Sequence, residues 1–286
     1  MQYSHIDLHM HSSCSDGSDD PLLLLKKVEE AHIHTFALTD HDTIKGNALI
    51  RSHVPSSMTF INGIEFSTIT PIRQAHILGY GFDETNPQLI EAIQKGEALR
   101  KHKLEVRLDY LKQQGVILKV EDIAYLRNLD VAAKPHIARV LMKNGYGSTI
   151  TEAINTYLTG CPQENDRLDA KTAIQAIKAA KGTVIWAHPL GGENVKRMSE
   201  ERFYKQLDFL LEDGIEGLEV YYSRYNQEEV YFLEGVAKKY HLLISGGSDY
   251  HGKNKNIHLG ELNAFGQEIV KEKLSLLEKC NFLKKY

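Results

Sequence analysis

The residues able to do chemistry sit in short polar knots, nearly all at the ends of apolar, β-branched runs. Asp7-Leu8-His9-Met10-His11 closes the first run. In a strand, side chains at i and i+2 share a face, so His9 and His11 can present two imidazoles to one ion. Ser15-Asp16-Gly17 follows, a carboxylate placed by a turn. The next runs end in Thr39-Asp40-His41-Asp42 and in Gly63-Ile64-Glu65, while His76 lies inside Ala75-His76-Ile77-Leu78-Gly79. Lys134-Pro135-His136-Ile137-Ala138-Arg139 opens a helix, Trp186-Ala187-His188-Pro189 ends another run, and Gly247-Ser248-Asp249-Tyr250-His251 follows the last. Imidazoles with carboxylates suit Zn²⁺, Mn²⁺ or Fe²⁺, and no cluster of cysteines marks a structural zinc site. So many donors exceed the need of one ion and point to a multinuclear site.

The elements that must position these groups are legible as well. Runs at residues 5–9, 35–39, 59–66, 75–80, 183–187, 217–222 and 242–245 read as strands. Asp20 before Pro21 is an N-cap followed by a first-turn proline and starts a helix over 21–31. Helices over 169–181 and 199–213 stop at Gly182 and Gly214. Alternating strands and helices predict an α/β fold with a mostly parallel sheet and helices outside. Seven strands predict a barrel, distorted or incompletely closed. Functional groups of such barrels stand at the C-terminal strand ends, which is where most of these knots fall. The barrel takes residues 1–86 and 169–286. Residues 87–168 hold no strand and read as a helical insertion, or lid. Between residues 95 and 119 it carries seven Lys/Arg against three Asp/Glu. That stretch is either a solvated face or positive charge offered to an anionic substrate.

Composition narrows the class. Apolar residues at 42% and charged residues at 25% are globular values and exclude a disordered chain. No apolar run approaches the ~20 residues that span a bilayer. Residues 1–5 lack the features of a signal peptide. Three widely spaced cysteines fit a reducing cytoplasm. A net charge of −4 excludes a general nucleic-acid coat or a membrane-surface binder.

The run Asp7-Leu8-His9-Met10-His11-Ser12, then Ser15-Asp16-Gly17, then Thr39-Asp40-His41-Asp42, resembles the opening motifs of the PHP (polymerase and histidinol phosphatase) metal-dependent phosphoesterases. Glu65, His76, His136, His188, and Asp249 with His251 match the later motifs in order, across nearly the whole chain. Within the family the chain is similar to the stand-alone branch of bacterial nucleotide phosphatases and small-RNA 5′ exonucleases. The resemblance implies a distorted (β/α)7 barrel and three divalent ions, Mn, Fe or Zn. It implies that His9, His11, Glu65 and Asp249 hold the first ion. Glu65 would bridge to a second, completed by His76 and His136, and Asp16, His41 and His251 would hold the third. In the histidinol-phosphatase branch the position of Asp16 is typically histidine, which argues against histidinol phosphate as substrate.

Around these ligands, Asp7 and Asp40 are expected to hydrogen-bond imidazoles and fix their orientation. Asp42 reads as a cap or turn residue and Cys14 as a small turn residue. Glu219 divides evenly between a structural and a functional role. His188 is expected to contact phosphate or act as an acid catalyst, with a core histidine as the alternative. Arg139, one turn after His136, offers a fork for phosphate, with Lys134 and Arg224 next in line. Tyr221, Tyr222 and Tyr225 either stack on a base or pack the barrel rim. His5, His32, His34, His53, His102, His241 and His258 match no motif.

A trinuclear centre fits phosphate-ester hydrolysis, because metals make hydroxide available near neutral pH and neutralise phosphate oxygens. The expected enzyme hydrolyses phosphate monoesters of small nucleotides, such as a nucleoside 3′,5′-bisphosphate or monophosphate. The alternative is a 5′-3′ exoribonuclease that trims short RNA, for which the basic stretch supplies a local track. A histidinol phosphatase and a non-catalytic regulatory module stand behind both.

Overall fold

The computed structural model describes residues 3–129, 131–162, 167–193 and 195–280. In chain order its elements are β1 (Ile6–Asp7), α1 (Pro21–Glu30), β2 (Thr35–Leu38), α2 (Lys45–Arg51), β3 (Thr59–Ile69) and β4 (Gln74–Tyr80). Then come α3 (Pro87–Gln113), α4 (Val120–Asn128), α5 (Lys134–Lys143) and α6 (Ile150–Ala153), the last running into a π-helical turn at Ile154–Leu158. The barrel resumes with β5 (Leu168–Asp169), α7 (Ala170–Ala179), β6 (Thr183–Ala187), α8 (Glu200–Asp213), β7 (Gly217–Tyr222), α9 (Gln227–Tyr240), β8 (Leu243–Gly247) and α10 (Leu276–Cys280).

Helix starts follow side-chain chemistry. Asp20 accepts the Leu22 N–H, Asn86 those of Gln88 and Leu89, and Asp169 that of Thr172. Each satisfies orphan donors of a first turn. Gly214 ends α8 in the left-handed region at φ 99°, as its position predicts. After α7 the left-handed residue is Lys181, at φ 60°, rather than the expected Gly182.

The strands run in the order β1-β2-β3-β4-β6-β7-β8, with β5 paired to β3. Backbone bonds from Leu8 to Gly246, Asp249 to His9 and His11 to Tyr250 bring the ends of the sheet together, so the barrel nearly closes. One strand departs from the parallel expectation. β4 is antiparallel to both β3 and β6, because the short turn between Thr70 and Arg73 leaves no room for a crossover helix. His76, near the start of β4, therefore pairs with Ser67 near the end of β3 and stands at the same mouth of the barrel.

The main core fills the barrel and the space beneath its helices, with Leu89, Ala92 and Ile93 of α3 included. A separate core under the lid gathers Leu104, Leu108, Leu111, Leu126, Ile137 and Leu141. α3 thus serves both bodies, and the lid's own core begins midway along it. Gly96 marks the crossing point: a Cβ there would lie 3.2 Å from Asp42 Cβ, at the barrel mouth. Among the described residues no helix is long and apolar enough to cross a membrane.

Candidate metal centre

The motif residues converge on Glu65. His9 and His11 follow β1 with their imidazoles buried. Glu65, in β3, places Oε2 3.1 Å from Nε2 of each. Asp249 Oδ1 stands 3.6 Å from His9 Nε2 and 3.3 Å from His11 Nε2. A second set joins His11, Asp16, His41 and His251, with His251 Nε2 3.1 Å from Asp16 Oδ1. A third joins His41, Glu65 and His76, with His76 Nδ1 2.8 Å from Glu65 Oε1. Within each set, one donor atom per residue lies within 4.8 Å of every other.

These atoms are arranged for cations. His9 Nδ1 sits 2.8 Å from buried Glu219 Oε1, so that nitrogen carries the proton and donates it. A neutral imidazole then leaves its lone pair on Nε2. That lone pair faces Glu65 Oε2 and, at 3.1 Å, His11 Nε2. Acceptors pointed at one another need a positive charge between them. Asp16 Oδ1 is buried without a hydrogen bond, though imidazoles surround it. Burial opposes the charged forms throughout the cluster; attraction overrides it at the carboxylates, His9 and His11, whereas burial prevails at His41, His76 and His251 and holds those imidazoles below their ordinary range. Glu65, Asp16 and Asp249 stay well below the usual carboxylate range beside His41, His251 and Lys255. Burial disfavours the His11 cation, but hydrogen bonds to Asp249 and Glu65 outweigh it and lift the group to about 9. The protein alone offsets these carboxylates by drawing protons onto His9 and His11. Divalent ions would do so through the same lone pairs, and the donor set fits them.

Local backbone is bent to hold this geometry. Asp42, His188 and Asp249 take positive φ values of 53°, 29° and 60°, uncommon for residues with side chains. Such strain collects at functional sites and is held there by the surrounding contacts. Gly247 lets β8 pass directly under His9, where a Cβ would come within 2.3 Å of His9 Cβ.

No family model matches the chain. The 5′-3′ exoribonuclease of Haemophilus influenzae is 31% identical over 265 residues, 89% of this chain and 93% of that one. The chain belongs to the PHP family of metal-dependent phosphoesterases. A 3′,5′-nucleoside bisphosphate phosphatase of Chromobacterium violaceum is 29% identical over 260 residues, covering 87% of each chain. A Bifidobacterium adolescentis structure assigned as a metal-dependent phosphoesterase shares the fold, with a TM-score of 0.77 at 23% identity. It covers 97% of this chain and 96% of that chain. The chain is accordingly a phosphoester hydrolase on a PHP-type barrel.

Other residues singled out from the sequence fall into place unevenly within this PHP site. His188 Nε2 lies 3.1 Å from Glu65 Oε1, the same oxygen that His76 approaches, and its backbone N–H donates to Glu219 Oε2 at 2.7 Å. His136 is not brought into any of the three sets. Its Nδ1 accepts the Ala133 N–H at 3.1 Å, which leaves the proton of a neutral ring on Nε2. Arg139 is exposed and donates to Asn254 Oδ1, whose side-chain amide in turn donates to the Asp16 carbonyl. Asp7 and Asp40 brace backbone and hydroxyl groups rather than imidazoles. Asp7 accepts N–H groups of His9, Ser248 and Gly260, and burial pushes its carboxyl up to about 6. Asp40 accepts from Ser12 and Ser15 and holds the first-motif loop. Tyr221, Tyr222 and Tyr225 are all buried and cannot stack on a base. Their hydroxyls meet Glu234, Asp249 and the Leu190 N–H. Arg224 is paired with Glu261 and Glu193, and Lys134 lines a hollow beside Asp16 and His41.

Two residues have contacts at the site that the sequence did not show. Lys255, six residues after Asp249, places Nζ 2.6 Å from Asp249 Oδ2 and lines the cavity above the cluster. Arg100 of α3 reaches across to Asp42 and to Ser67 Oγ, the latter at 2.6 Å. Asp42 is thus an anchor for the lid helix, beyond the turn residue expected of it. A signal for Lys255 lay in its nearness to the last motif. Arg100 was legible as part of the basic stretch, but its pairing was not, because its partners lie 58 and 33 residues away.

Proposed function

We propose that this chain is a trinuclear phosphatase acting on phosphate monoesters of small nucleotides. The observation that carries the reading is the convergence of three His/carboxylate sets on shared Glu65, His11 and His41. His9, His11, Glu65 and Asp249 would hold one ion; Asp16, His41 and His251, with His11 beside them, another. Glu65 with His76 would hold the third, and the position of His188 on the same Glu65 oxygen favours it over His136 as the completing ligand. Bound ions supply Lewis acidity and water activation at neutral pH.

The chain's own groups do the rest. Glu219 fixes the His9 tautomer from behind, the usual device for orienting a ligating imidazole. Lys255 adds a fixed positive charge where the phosphoryl group must enter. Arg139, tied through Asn254 to the Asp16 loop, serves at the rim. The lid residues Pro135, Ile150 and Ile154 roof a cavity of about 470 Å³ and limit water and bulky substrates. That volume lies in the range of small-molecule sites.

A second reading is 5′-3′ exoribonuclease activity. It is favoured by the likeness to the Haemophilus influenzae enzyme and by α3, whose Arg100, Lys103 and Arg107 line the hollow next to the cluster. The test is a panel with Mn²⁺: nucleoside 3′,5′-bisphosphates, nucleoside monophosphates, histidinol phosphate and short 5′-phosphorylated RNA. Turnover of the small nucleotides well above that of RNA supports the phosphatase. The reverse order makes the chain a nuclease, and turnover of histidinol phosphate alone refutes both.

A further inference from the structure

With all three tyrosines of residues 221–225 buried, none of them offers a platform for a base. The cavity over the cluster offers a different surface. Its polar lining includes His41, Glu65, His76, His188, Asp249 and Lys255. Aliphatic side chains from two separate bodies line it as well. The lid contributes Ile150 and Ile154, and the loop after β6 contributes Val195 and Met198. Ile150, Ile154 and Met198 are only half-buried, and Val195 is 46% exposed. Met198 packs on the barrel core and Ile150 and Ile154 on the second core, while all three also line the cavity with Val195. Ile154 begins the π-helical turn, an irregularity that occurs often at functional sites. Arg73 and Gln74, at the turn into β4, line the same cavity and supply polar contacts.

We infer that these aliphatic side chains, from the helical segment 150–154 and from the loop after β6, form the subsite for the nucleobase of the substrate. The inference rests on the nucleotide reading above and deepens it. A phosphoester at the cluster leaves its organic group in the same cavity, and the only part of a nucleotide that gains from apolar walls is the base. Aliphatic walls contact any base face alike and read few hydrogen-bonding edges. The subsite therefore binds bases with little discrimination among them. It would take the base of a free nucleotide or the terminal base of a short RNA through the same contacts.

The experiment compares Val195→Ser, Ile154→Ser and the double variant with wild type on three probes: nucleoside 5′-monophosphates, ribose 5-phosphate and a 5′-phosphorylated trinucleotide. Binding of the first two probes is also measured by calorimetry. Val195 lies in an exposed loop, so its variant should keep the fold, and thermal melting checks Ile154→Ser. Small apolar contacts of this kind are worth about 10-fold each in kcat/KM. Wild type is expected to favour the monophosphates over ribose 5-phosphate by ~10-fold or more, with similar values for all four bases. The variants should erase most of that preference through KM, with a loss on the monophosphates several-fold larger than on ribose 5-phosphate. A loss confined to the trinucleotide upholds the subsite and assigns it to the RNA end. Equal losses on base-bearing and base-free probes, or none, overturn the inference. If no probe is hydrolysed but nucleotides still bind more tightly than ribose 5-phosphate in a Val195-dependent way, the phosphatase reading fails and the subsite stands.

Discussion

Replacing Glu219 with Gln removes one half of a buried two-point contact. Oε1 accepts the His9 Nδ1–H at 2.8 Å and Oε2 accepts the His188 backbone N–H at 2.7 Å. Gln has one oxygen for two donors. If its oxygen faces His9, its NH₂ abuts the His188 N–H and forces residues 188–189 to shift. If it faces His188, the NH₂ donates to His9 Nδ1, and the ring proton moves to Nε2. That proton then points at Glu65 Oε2 and His11 Nε2, where a metal lone pair is needed. Both outcomes forfeit a hydrogen bond to a buried charged group, worth about 1.5–3 kcal/mol. Since 1.4 kcal/mol is tenfold, metal affinity should fall by ~10–150-fold, in line with losses seen when the partner of a ligating histidine is removed. The assay is a competition titration with a chromophoric chelator under Mn²⁺ or Zn²⁺, with thermal melting of the metal-free protein alongside. Unchanged affinity for every ion would show that Glu219 does not set the His9 tautomer, and the lone-pair argument would fail with it.

Metal binding should release protons. His11 is lifted to about 9 in the metal-free protein and must be neutral to ligate, so apparent affinity should climb with pH up to about 9 and then level off. Calorimetry at neutral pH in buffers of different ionisation enthalpy reads the release directly, and a buffer-independent heat would contradict it. Glu65→Gln should cost more metal than any other single ligand change, because, of the residues shared by two sets, Glu65 alone is a carboxylate, with an oxygen for each of two ions; mass spectrometry of the intact holoprotein counts the ions lost, and a full complement would remove Glu65 from its bridging role. Arg100→Ala strips a buried Asp42 carboxylate of its cation and should lower stability by about 1–3 kcal/mol, read by denaturant unfolding; no change would mean that the lid is anchored elsewhere. Lys255→Ala should cut kcat/KM by ~10–150-fold, against a few-fold for exposed Arg139→Ala. The opposite order would place the phosphate at the Arg139 rim.

Much of this was legible in the sequence because strand phase is a local property. His9 and His11 alternate onto one face, and His41 and Asp249 follow strand ends, so spacing alone brings them to one mouth; Glu65, expected at the end of a run over 59–66, stands inside a β3 that continues to Ile69. What could not be read depended on chain direction and on distant partners. Nothing local says that β4 runs backward, although the short 70–73 link hints at a hairpin; that reversal brings His76 in from inside its strand. Tyr221 and Tyr222 looked available because alternation should expose one of two neighbours. In a strand covered on both faces, both are buried. Asp7 and Asp40 looked like imidazole partners by adjacency, but their oxygens turn to the N–H and hydroxyl groups that hold the loops. His136 sits at the first turn of α5, where its Nδ1 is drawn to the Ala133 N–H.

The central claim, that shared Glu65, His11 and His41 organise a multinuclear centre for phosphoester hydrolysis, is tested most directly by metal stoichiometry measured together with activity. The purified protein should carry two to three transition ions per chain by elemental analysis. Stepwise chelation should abolish hydrolysis of a nucleoside monophosphate, and Mn²⁺ should restore it with a stoichiometry above one. Full activity in protein stripped of metal, or full activity with a single ion per chain, would contradict the account.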